Sequence, residues 1–284
     1  MRPWSDSSRV ASPGSSAASA GLGVASPEYD ASVLLAHVLG VPRSGLFLID
    51  EVAAAHSDEF EALINRRSER EPLQHLTGTA AFRHIELAVG PGVFVPRPET
   101  ELLAGWAIEQ AQALPSARVV DLCTGSGAVA LSIADEVPNA HVHAVELDPQ
   151  AHDWAARNVL NSQVDLRLGD MAEAFTDLDG TVDVVTANPP YIPMEAWESV
   201  AVEARDHDPS LALWSGDDGL DAMRVVERTA ARLLKPGGVV GAEHADVQGV
   251  SAPEVFLQTN RWVDVRDHRD LAGRPRFVTA RLAR

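Results

Sequence analysis

The chain contains the stretch Val182-Asp183-Val184-Val185-Thr186-Ala187-Asn188-Pro189-Pro190-Tyr191. Its first six residues are mostly apolar and predict a buried strand. Two consecutive prolines cannot continue a strand, because neither has an N–H to donate to a neighbour. The chain must therefore leave the sheet at Asn188, at the carboxyl end of the strand, where open α/β sheets place their ligands. We expect an α/β fold with a ligand-binding corner at residues 188–191.

The Asn-Pro-Pro-Tyr corner offers the groups that would grip a planar –NH₂ group. The Asn188 side-chain oxygen and the Pro189 carbonyl would accept its two hydrogens, and the Tyr191 ring would pack against its plane. An ordinary strand-ending turn is the alternative, which a bare Pro-Pro pair would favour. Asn188, Pro189 and Tyr191 are thus candidate catalytic residues, and Pro190 joins them as a candidate substrate contact.

On both sides of this strand, strand and helix patterns alternate from residue 118 onward. Such alternation predicts a mostly parallel, doubly wound sheet of seven strands, with the last two paired antiparallel because no helix separates them. We expect strands at 119–122, 141–146, 164–168, 182–187, 239–243, 262–267 and 277–282. Helices are expected between them at 128–135, 149–158, 220–234 and 247–258.

The first hundred residues have a different character. Residues 1–26 are mostly Ser, Ala, Gly and Pro, which predicts a disordered tail; a signal peptide is the competing interpretation, but no compact apolar segment follows Arg2. Residues 27–71 show helical spacing, with a second helix expected from Ser57. Residues 80–97 alternate around Gly90-Pro91-Gly92, which predicts a β-hairpin, and a helix should follow from Glu99 to about Gln112.

Composition narrows the possible classes of function. The net charge of −18 argues against a broad phosphate-binding surface and suits a basic protein partner. Cys123 is the only cysteine, so no internal disulfide can form and a reducing, cytoplasmic setting is expected. No apolar run approaches the roughly 18 residues of a membrane span. His141 and His143 share a strand face, but no Cys/His cluster has metal-ligand spacing.

Three candidate cofactor-binding features fall at the ends of three successive predicted strands. Asp121 precedes a glycine turn, Glu146 ends the second strand, and Asp170 follows the third. Glycines let the backbone approach a ligand, and a carboxylate at a strand tip can accept both hydroxyls of a ribose. Asp170 is placed to accept from the amine of a base. The candidate set is Asp121, Cys123, Thr124, Gly125, Ser126, Gly127, Glu146, Asp170, Met171 and Asn188.

A site for a dinucleotide cofactor is the main alternative interpretation of these residues. Gly125, Gly127 and Ala130 satisfy G-x-G-x-x-A, and Glu146 lies 19 residues after Gly127, near the expected spacing of about 20. Those features alone do not separate NAD from another adenosine cofactor. Asp121 would repel a pyrophosphate but could accept from an ammonium, and the Asn-Pro-Pro-Tyr corner has no evident use in hydride transfer. S-adenosyl-L-methionine carries ribose, adenine and an ammonium, so it suits every group named.

Four segments resemble those of class I S-adenosylmethionine-dependent methyltransferases and, more narrowly, the PrmC/HemK family. They are Pro72-Leu73-Gln74-His75-Leu76-Thr77-Gly78, Val95-Pro96-Arg97-Pro98-Glu99-Thr100-Glu101, Asp121-Leu122-Cys123-Thr124-Gly125-Ser126-Gly127 and Asn188-Pro189-Pro190-Tyr191. The resemblance covers about residues 27–284, and the segment around Arg97 is the most specific. Cys123 stands where the family usually has glycine, which bears on the tightness of the first turn.

The resemblance implies an N-terminal helical substrate-recognition domain at 27–79, a hairpin linker at 80–98 and a Rossmann-like methyltransferase domain at 99–284. It implies transfer of a methyl group from S-adenosyl-L-methionine, leaving S-adenosyl-L-homocysteine, to N5 of the glutamine in the Gly-Gly-Gln motif of class-1 peptide chain release factors. Arg97 would then contact that substrate, and a monomer is expected. The alternatives are a DNA or RNA adenine-N6 methyltransferase, which would want a basic recognition region, and a catalytically silent cofactor-binding scaffold.

Overall fold

A computed structural model of the chain describes residues 24–49 and 51–284. It divides after Gly78 into two compact units. The expected disordered tail falls on residues 1–26, of which 1–23 lie outside the described residues.

The smaller unit is helical, as its apolar spacing predicts. It contains α1 (Pro27–Leu39), a 3₁₀ turn (Arg43–Leu48), α2 (Ala54–Ser68) and α3 (Leu73–Thr77). Helix α2 begins before the expected Ser57, because the alanines at its start favour helix. Buried apolar side chains from all three helices form its core: Leu34, Phe60, Leu63, Ile64 and Leu76. A buried ion pair joins two helices, with Arg67 Nε 2.7 Å from Asp30 Oδ2.

The larger unit begins with the expected β-hairpin, made of β1 (Thr79–Phe82) and β2 (Ile85–Ala88) paired antiparallel. Its turn lies at Arg83 and His84, so the prediction of a turn at Gly90-Pro91-Gly92 was wrong. Gly90 serves packing instead: a Cβ there would lie 2.6 Å from the ring of Trp154. The sequence pattern could not separate a glycine needed for a turn from one needed for close approach.

The main sheet has seven strands in the order β5-β4-β3-β6-β7-β9-β8. The first five of these in spatial order are parallel, and β9 pairs antiparallel with both β7 and β8. This confirms the predicted doubly wound, mostly parallel fold and the antiparallel final pair. The strands are β3 (Arg118–Leu122), β4 (His141–Glu146), β5 (Asp165–Leu168), β6 (Val182–Ala187), β7 (Leu234–Glu243), β8 (Trp262–Arg269) and β9 (Pro275–Leu282).

Helices cover both faces of this sheet, and each face has its own apolar cluster. They are α4 (Thr100–Gln112), α5 (Ala128–Glu136), α6 (Pro149–Val159), α8 (Asp221–Leu233) and α9 (Ser251–Leu257), while the short helix α7 (Val202–His207) contributes to neither cluster. The helix expected at 247–258 is a 3₁₀ turn (Asp246–Gln248) followed by α9. Strand β7 starts at Leu234, earlier than expected, because Leu234 pairs with Val182 across an irregularity in the ladder.

The strand order reverses between β3 and β6. From β3 the chain proceeds outward through β4 and β5, and then returns to place β6 on the other side of β3. Asp121 of β3 is paired in register with Thr186 of β6. Loops diverge at such a switch point and leave a crevice at the carboxyl ends of the strands. The fold therefore brings the glycine turn and the proline corner to one crevice.

Candidate active site

A cavity of about 280 Å³ opens at this switch point. It is lined by twelve of the residues that the sequence singled out: Arg97, Asp121, Cys123, Thr124, Gly125, Ser126, Glu146, Asp170, Met171, Asn188, Pro190 and Tyr191. Two candidates do not line it. Pro189 is buried. Gly127 caps α5 at φ +85°, and its Cα faces Val159 and Ala155 of α6.

Backbone hydrogen bonds hold the glycine turn after β3. The Thr124 N–H donates to the Val145 carbonyl, and the Gly127 N–H to the Thr124 carbonyl. Cys123 and Gly125 both adopt φ +58°. A non-glycine residue in the left-handed region is strained, so the position of Cys123 is one where glycine would fit without cost. The turn is thus formed with cysteine, at the expense of local strain.

Asp121 lies at the centre of the crevice and is almost fully buried. Its Oδ2 accepts from Thr124 Oγ1 at 2.6 Å, and its Oδ1 accepts from Thr186 Oγ1 at 2.7 Å. Burial raises the pKa of Asp121 to about 6, against the lowering effect of these two hydroxyls. Among the described residues, the side chains that lower this pKa are hydroxyl donors rather than cations, so a cation in the cavity would meet a carboxylate whose charge is not already paired.

Glu146 and Asp170 also line the cavity, and together with Asp121 they form its acidic wall. Glu146 Oε2 accepts from the Gly125 N–H at 2.8 Å, and its Oε1 accepts from the Asp148 N–H at 2.9 Å. Burial raises the pKa of Glu146, and these backbone bonds oppose the rise. Asp170 Oδ1 accepts from the Ala172 N–H at 2.8 Å. Each carboxylate keeps lone pairs for a ligand while the backbone fixes its position.

The Cys123 thiol lies in the cavity wall with these carboxylates. Its sulfur lies 3.4 Å from the sulfur of Met171. Burial raises the pKa of Cys123 well above its ordinary value, and the negative charges of Glu146, Asp121 and Asp170 raise it further. Three carboxylates therefore act on one point of the cavity wall, an environment that favours a positively charged ligand.

The proline corner is tied to two buried side chains that the sequence analysis did not single out. Asn188 Nδ2 donates to Thr100 Oγ1 at 3.4 Å, and Thr100 Oγ1 donates to Glu243 Oε2 at 2.7 Å. The Tyr191 hydroxyl donates to Glu243 Oε1 at 3.4 Å. Burial raises the pKa of Glu243 to about 7, and burial together with Glu243 raises the pKa of Tyr191.

The backbone of the corner is fixed from a third direction. Gln248 Nε2 donates to the Tyr191 carbonyl at 3.1 Å and to the Gly219 carbonyl at 3.3 Å. A Cβ on Gly219 would lie 2.4 Å from the Tyr191 carbonyl oxygen, so only glycine permits this approach. The Ile192 N–H donates to the Leu213 carbonyl, and both of these residues line the cavity.

Arg97 lines the cavity but has a partner of its own. Its Nη2 lies 2.6 Å from Asp208 Oδ2, and its guanidinium stacks on Phe94 with 4.8 Å between the guanidinium carbon and the ring centroid. Burial raises the pKa of Asp208 to about 6, although Arg97 lowers it. The structure thus gives Arg97 an ion pair that fixes residue 208 beside the cavity, and the expected contact with substrate remains a prediction.

Comparison with known proteins connects this geometry to a family. A PrmC N-terminal domain model matches residues 16–78, and a methyltransferase domain model matches residues 119–207. The release factor glutamine methyltransferase of Streptomyces coelicolor is 56% identical over 263 residues, covering 92% of this chain and 93% of that protein. The protein of the same name from Mycolicibacterium smegmatis is 46% identical over 280 residues, covering 97% and 98%.

The chain belongs to the release factor glutamine methyltransferase family.

Membership in this family makes the chain an S-adenosyl-L-methionine-dependent methyltransferase, as the sequence predicted. A relative of different name is 4-amino-L-phenylalanine/4-methylamino-L-phenylalanine methyltransferase of Streptomyces pristinaespiralis, 41% identical over 86% of this chain and 84% of that protein. The crystal structure of the hMettl16 catalytic domain with the MAT2A 3'UTR hairpin 6 shares the fold, with a TM-score of 0.53 and 14% identity over 69% of this chain and 75% of that one. The two release factor glutamine methyltransferases do not favour the alternative of an adenine methyltransferase.

The residues present fit the methyl donor of this family. Asp121, Glu146 and Asp170 line one cavity, and their negative charges add to the burial that raises the pKa of the Cys123 thiol. S-adenosyl-L-methionine carries a sulfonium, an ammonium, a ribose diol and an adenine amine, and carboxylate acceptors complement these groups. Within residues 24–49 and 51–284, no helix is long and apolar enough to cross a membrane. The same residues hold no metal-binding group of three or more His, Cys, Asp or Glu side chains.

Sequence reasoning missed four residues whose side chains hydrogen-bond to the proline corner, to one another or to the glycine turn. They are Thr100, Glu243, Gln248 and Asn158. Asn158 accepts from the Ala88 N–H and donates to the Ser126 carbonyl, so it ties the hairpin to the glycine turn. One signal was available for Glu243: it ends a buried strand, just as Glu146 does. Thr100 resembles an ordinary residue of a helix's first turn, and only the fold shows what its hydroxyl contacts.

Proposed function

We propose that this methyltransferase transfers the methyl group of S-adenosyl-L-methionine to N5 of the glutamine in the Gly-Gly-Gln motif of class-1 peptide chain release factors. One observation supports this most: the acidic wall and the Asn-Pro-Pro-Tyr corner line the same cavity. Full-length similarity to two release factor glutamine methyltransferases supports the choice of acceptor.

Placement is the main work that the residues of the cavity would do. A carboxamide nitrogen is a poor nucleophile, because its lone pair is delocalised into the carbonyl. Bound S-adenosyl-L-methionine supplies a sulfonium methyl group that is already electrophilic. The Asn188 side-chain oxygen and the Pro189 carbonyl would accept the two amide hydrogens, and Tyr191 would pack on the amide plane. Holding two reactants in line can contribute on the order of 7–11 kcal/mol to lowering the barrier.

The two acceptors would also favour the product-like state of the nitrogen. As the nitrogen attacks, it becomes tetrahedral and positively charged, and both N–H groups become stronger donors. Asp121, Glu146 and Asp170 would hold the ammonium, ribose and adenine of the donor. Proton loss from the methylated amide would follow transfer, since no strong base stands among the proposed catalytic residues Asn188, Pro189 and Tyr191.

The remaining parts of the proposal concern the partner and the setting. Residues 27–79 would recognise the release factor, residues 80–98 would link them to the methyltransferase domain at 99–284, and Arg97 with Pro190 would contact the substrate. The enzyme would act as a monomer in the cytoplasm without binding nucleic acid directly. The model match at 16–78 to a PrmC N-terminal domain supports a dedicated role for the first of these segments.

Methyl transfer from labelled S-adenosyl-L-methionine tests the acceptor. The protein should label a class-1 release factor, but neither its variant with the motif glutamine changed to alanine nor duplex DNA. Free 4-amino-L-phenylalanine should be a poor acceptor under the same conditions. Efficient labelling of that amino acid without labelling of the release factor would overturn the proposal.

Asn188→Ala tests the role of the corner. We expect transfer to fall by at least about a hundredfold, because the nitrogen is no longer aimed at the methyl group, while donor affinity changes by less than a few-fold. The exposed Asn161, changed to alanine, provides the matched control. Turnover of Asn188→Ala near the wild-type rate would refute the proposed contact.

A further inference from the structure

A short chain of hydrogen bonds runs behind the proline corner into the protein interior. It begins at Asn188, passes through the Thr100 hydroxyl at 3.4 Å and ends at Glu243, 2.7 Å further on. Thr100 is 4% exposed and Glu243 is 1% exposed, so the bond between these two side chains is shielded from bulk water. Glu243 is the last residue of β7, beside the strand that carries the corner.

The direction of each bond follows from the number of hydrogens available. A carboxylate only accepts, so the single hydroxyl hydrogen of Thr100 goes to Glu243. Thr100 is then left with lone pairs, which can face only the –NH₂ side of the Asn188 amide. In the part of the chain that the structure describes, Asn188 Oδ1 makes no hydrogen bond, and Asn188 lines the cavity.

We propose that Thr100 and Glu243 are positioning residues that hold the Asn188 side chain with its oxygen toward the methyl acceptor. The inference rests on the proposed function, since it concerns how Asn188 accepts an N–H of the substrate. An amide free to rotate by half a turn would present –NH₂ to the incoming –NH₂ group half of the time, and two donors repel. The buried pair removes that wrong orientation.

The state of Glu243 controls this orientation. Thr100 and Tyr191 face it as hydroxyl donors, Arg276 faces it as a positive charge and Glu99 as a negative one. Burial raises the pKa of Glu243 to about 7. Once protonated, Glu243 can donate to Thr100, whose hydrogen is then free to turn toward Asn188 Oδ1. Methyl transfer should therefore decline as the pH falls through about 7, because the protonated form no longer fixes the amide.

Substitutions at both positions separate positioning from simple packing. Glu243→Gln keeps size and shape but places a donor beside Thr100, and it should lower kcat by about 10- to 100-fold while donor affinity and KM for the release factor change less than about twofold. Its kcat should also lose the slope near pH 7. Thr100→Val should show the same loss of kcat, whereas Thr100→Ser should restore most of it because the hydroxyl returns.

Stability measurements keep these outcomes interpretable. At pH 8, Glu243→Gln should unfold at the same or a higher denaturant concentration than the wild type, because a buried ionised carboxylate is costly and its amide isostere is not. A loss of activity in a protein of undiminished stability cannot arise from unfolding. The exposed Glu254 on α9, changed to glutamine, is the matched control and should leave kcat and its pH profile unchanged.

Two results would overturn the inference. One is wild-type kcat in Thr100→Val; the other is a Glu243→Gln variant whose pH profile keeps the wild-type slope. Failure of the proposed function would look different from failure of this inference. In that case the wild-type protein would bind the donor but would not methylate the release factor.

Discussion

Cys123 combines a strained backbone with a buried thiol whose pKa is raised. Its φ of +58° lies in the left-handed region, and the thiol lies in the cavity wall among three carboxylates. The sequence showed that a cysteine replaces the family's usual glycine, but it did not show that the residue would take up the glycine conformation. Sequence and family pattern thus placed the residue, and only the structure gives its electrostatics.

The thiol should react slowly with alkylating reagents. Since only a thiolate is nucleophilic, and burial with nearby negative charge raises the pKa of Cys123, iodoacetamide at pH 8 should label it at least about tenfold more slowly than glutathione. Occupation of the cavity by S-adenosyl-L-homocysteine should slow the reaction further. Because Cys123 is the only cysteine, the amount of label bound per protein molecule measures the reaction of this thiol alone. Labelling as fast as glutathione would show that the acidic wall is wrongly described.

Asp121 should make donor binding depend on pH. Its pKa of about 6 means that it is largely neutral at pH 5 and ionised at pH 7.5. A cationic donor prefers the ionised form, so affinity should weaken as the pH falls, by on the order of tenfold at pH 5 relative to pH 7.5. Glu146, whose pKa is raised as well, acts in the same direction.

Calorimetry of S-adenosyl-L-methionine binding across this pH range checks the expectation. Asp121→Asn should bind more weakly overall and show a smaller pH slope, while the exposed Asp153, changed to asparagine, should behave as wild type. An Asp121→Asn variant with an undiminished slope would assign the titration to another group.

At the scale of elements, the hairpin and α6 illustrate close packing that no local pattern reveals. Asn158 of α6 binds both backbone groups of Ala88 at the end of β2 and the Ser126 carbonyl in the glycine turn. Trp154 of α6 lies against Gly90, and its Nε1 donates to the Pro91 carbonyl at 3.2 Å. The segment 89–92 is therefore held against a helix rather than forming the hairpin turn.

Gly90→Ala should destabilise the larger unit. The new Cβ would lie 2.6 Å from the Trp154 ring, so helix or loop must shift, at a cost of about 1–3 kcal/mol. Urea denaturation followed by tryptophan fluorescence measures the change. Gly169→Ala is the matched control, because a Cβ there meets no atom within 4 Å. Equal stability of the two variants would show that the tight contact is relieved without cost.

The sequence predicted strand ends well and side-chain networks poorly. Asp121, Glu146 and Asn188 could be located because alternating buried strands and breaking residues mark where a parallel sheet ends. Thr100 and Glu243 could not be paired, since 143 residues separate them and their contact depends on the packing of α4 against β7. Pro189 was assigned a carbonyl acceptor, but the structure shows this residue buried and outside the cavity lining, because a sequence does not give the path of two successive peptide planes.

At the scale of the whole molecule, the dominant electrostatic property is excess negative charge. The chain carries 41 acidic and 23 Lys or Arg residues. Many of the latter are committed to ion pairs, such as Arg83 with Glu136 at 2.6 Å and Arg167 with Asp165 at 2.8 Å. The surplus carboxylates therefore repel one another across the surface, and this repulsion opposes compaction.

Added salt should accordingly stabilise the protein. Raising NaCl from about 20 to 200 mM at pH 8 shortens the screening length from roughly 20 Å to below 10 Å, and the free energy of unfolding should rise by on the order of 1 kcal/mol. Thermal or urea unfolding at the two concentrations measures it. At pH 5, where part of the surface charge is neutralised, the gain should be smaller. A decrease in stability with salt would mean that ion pairs outweigh the general repulsion.

The contact between Gly219 and the Tyr191 carbonyl oxygen has a consequence for how variants of this enzyme will be interpreted. Any side chain at position 219 collides with the backbone of the proline corner, and loss of Gln248 removes the bonds that tether it. A random-mutagenesis screen for lost methylation should therefore recover position 219 as often as the motif itself. Such a mutation lies far from the Asn-Pro-Pro-Tyr motif in the sequence, although it would displace the backbone of that motif directly.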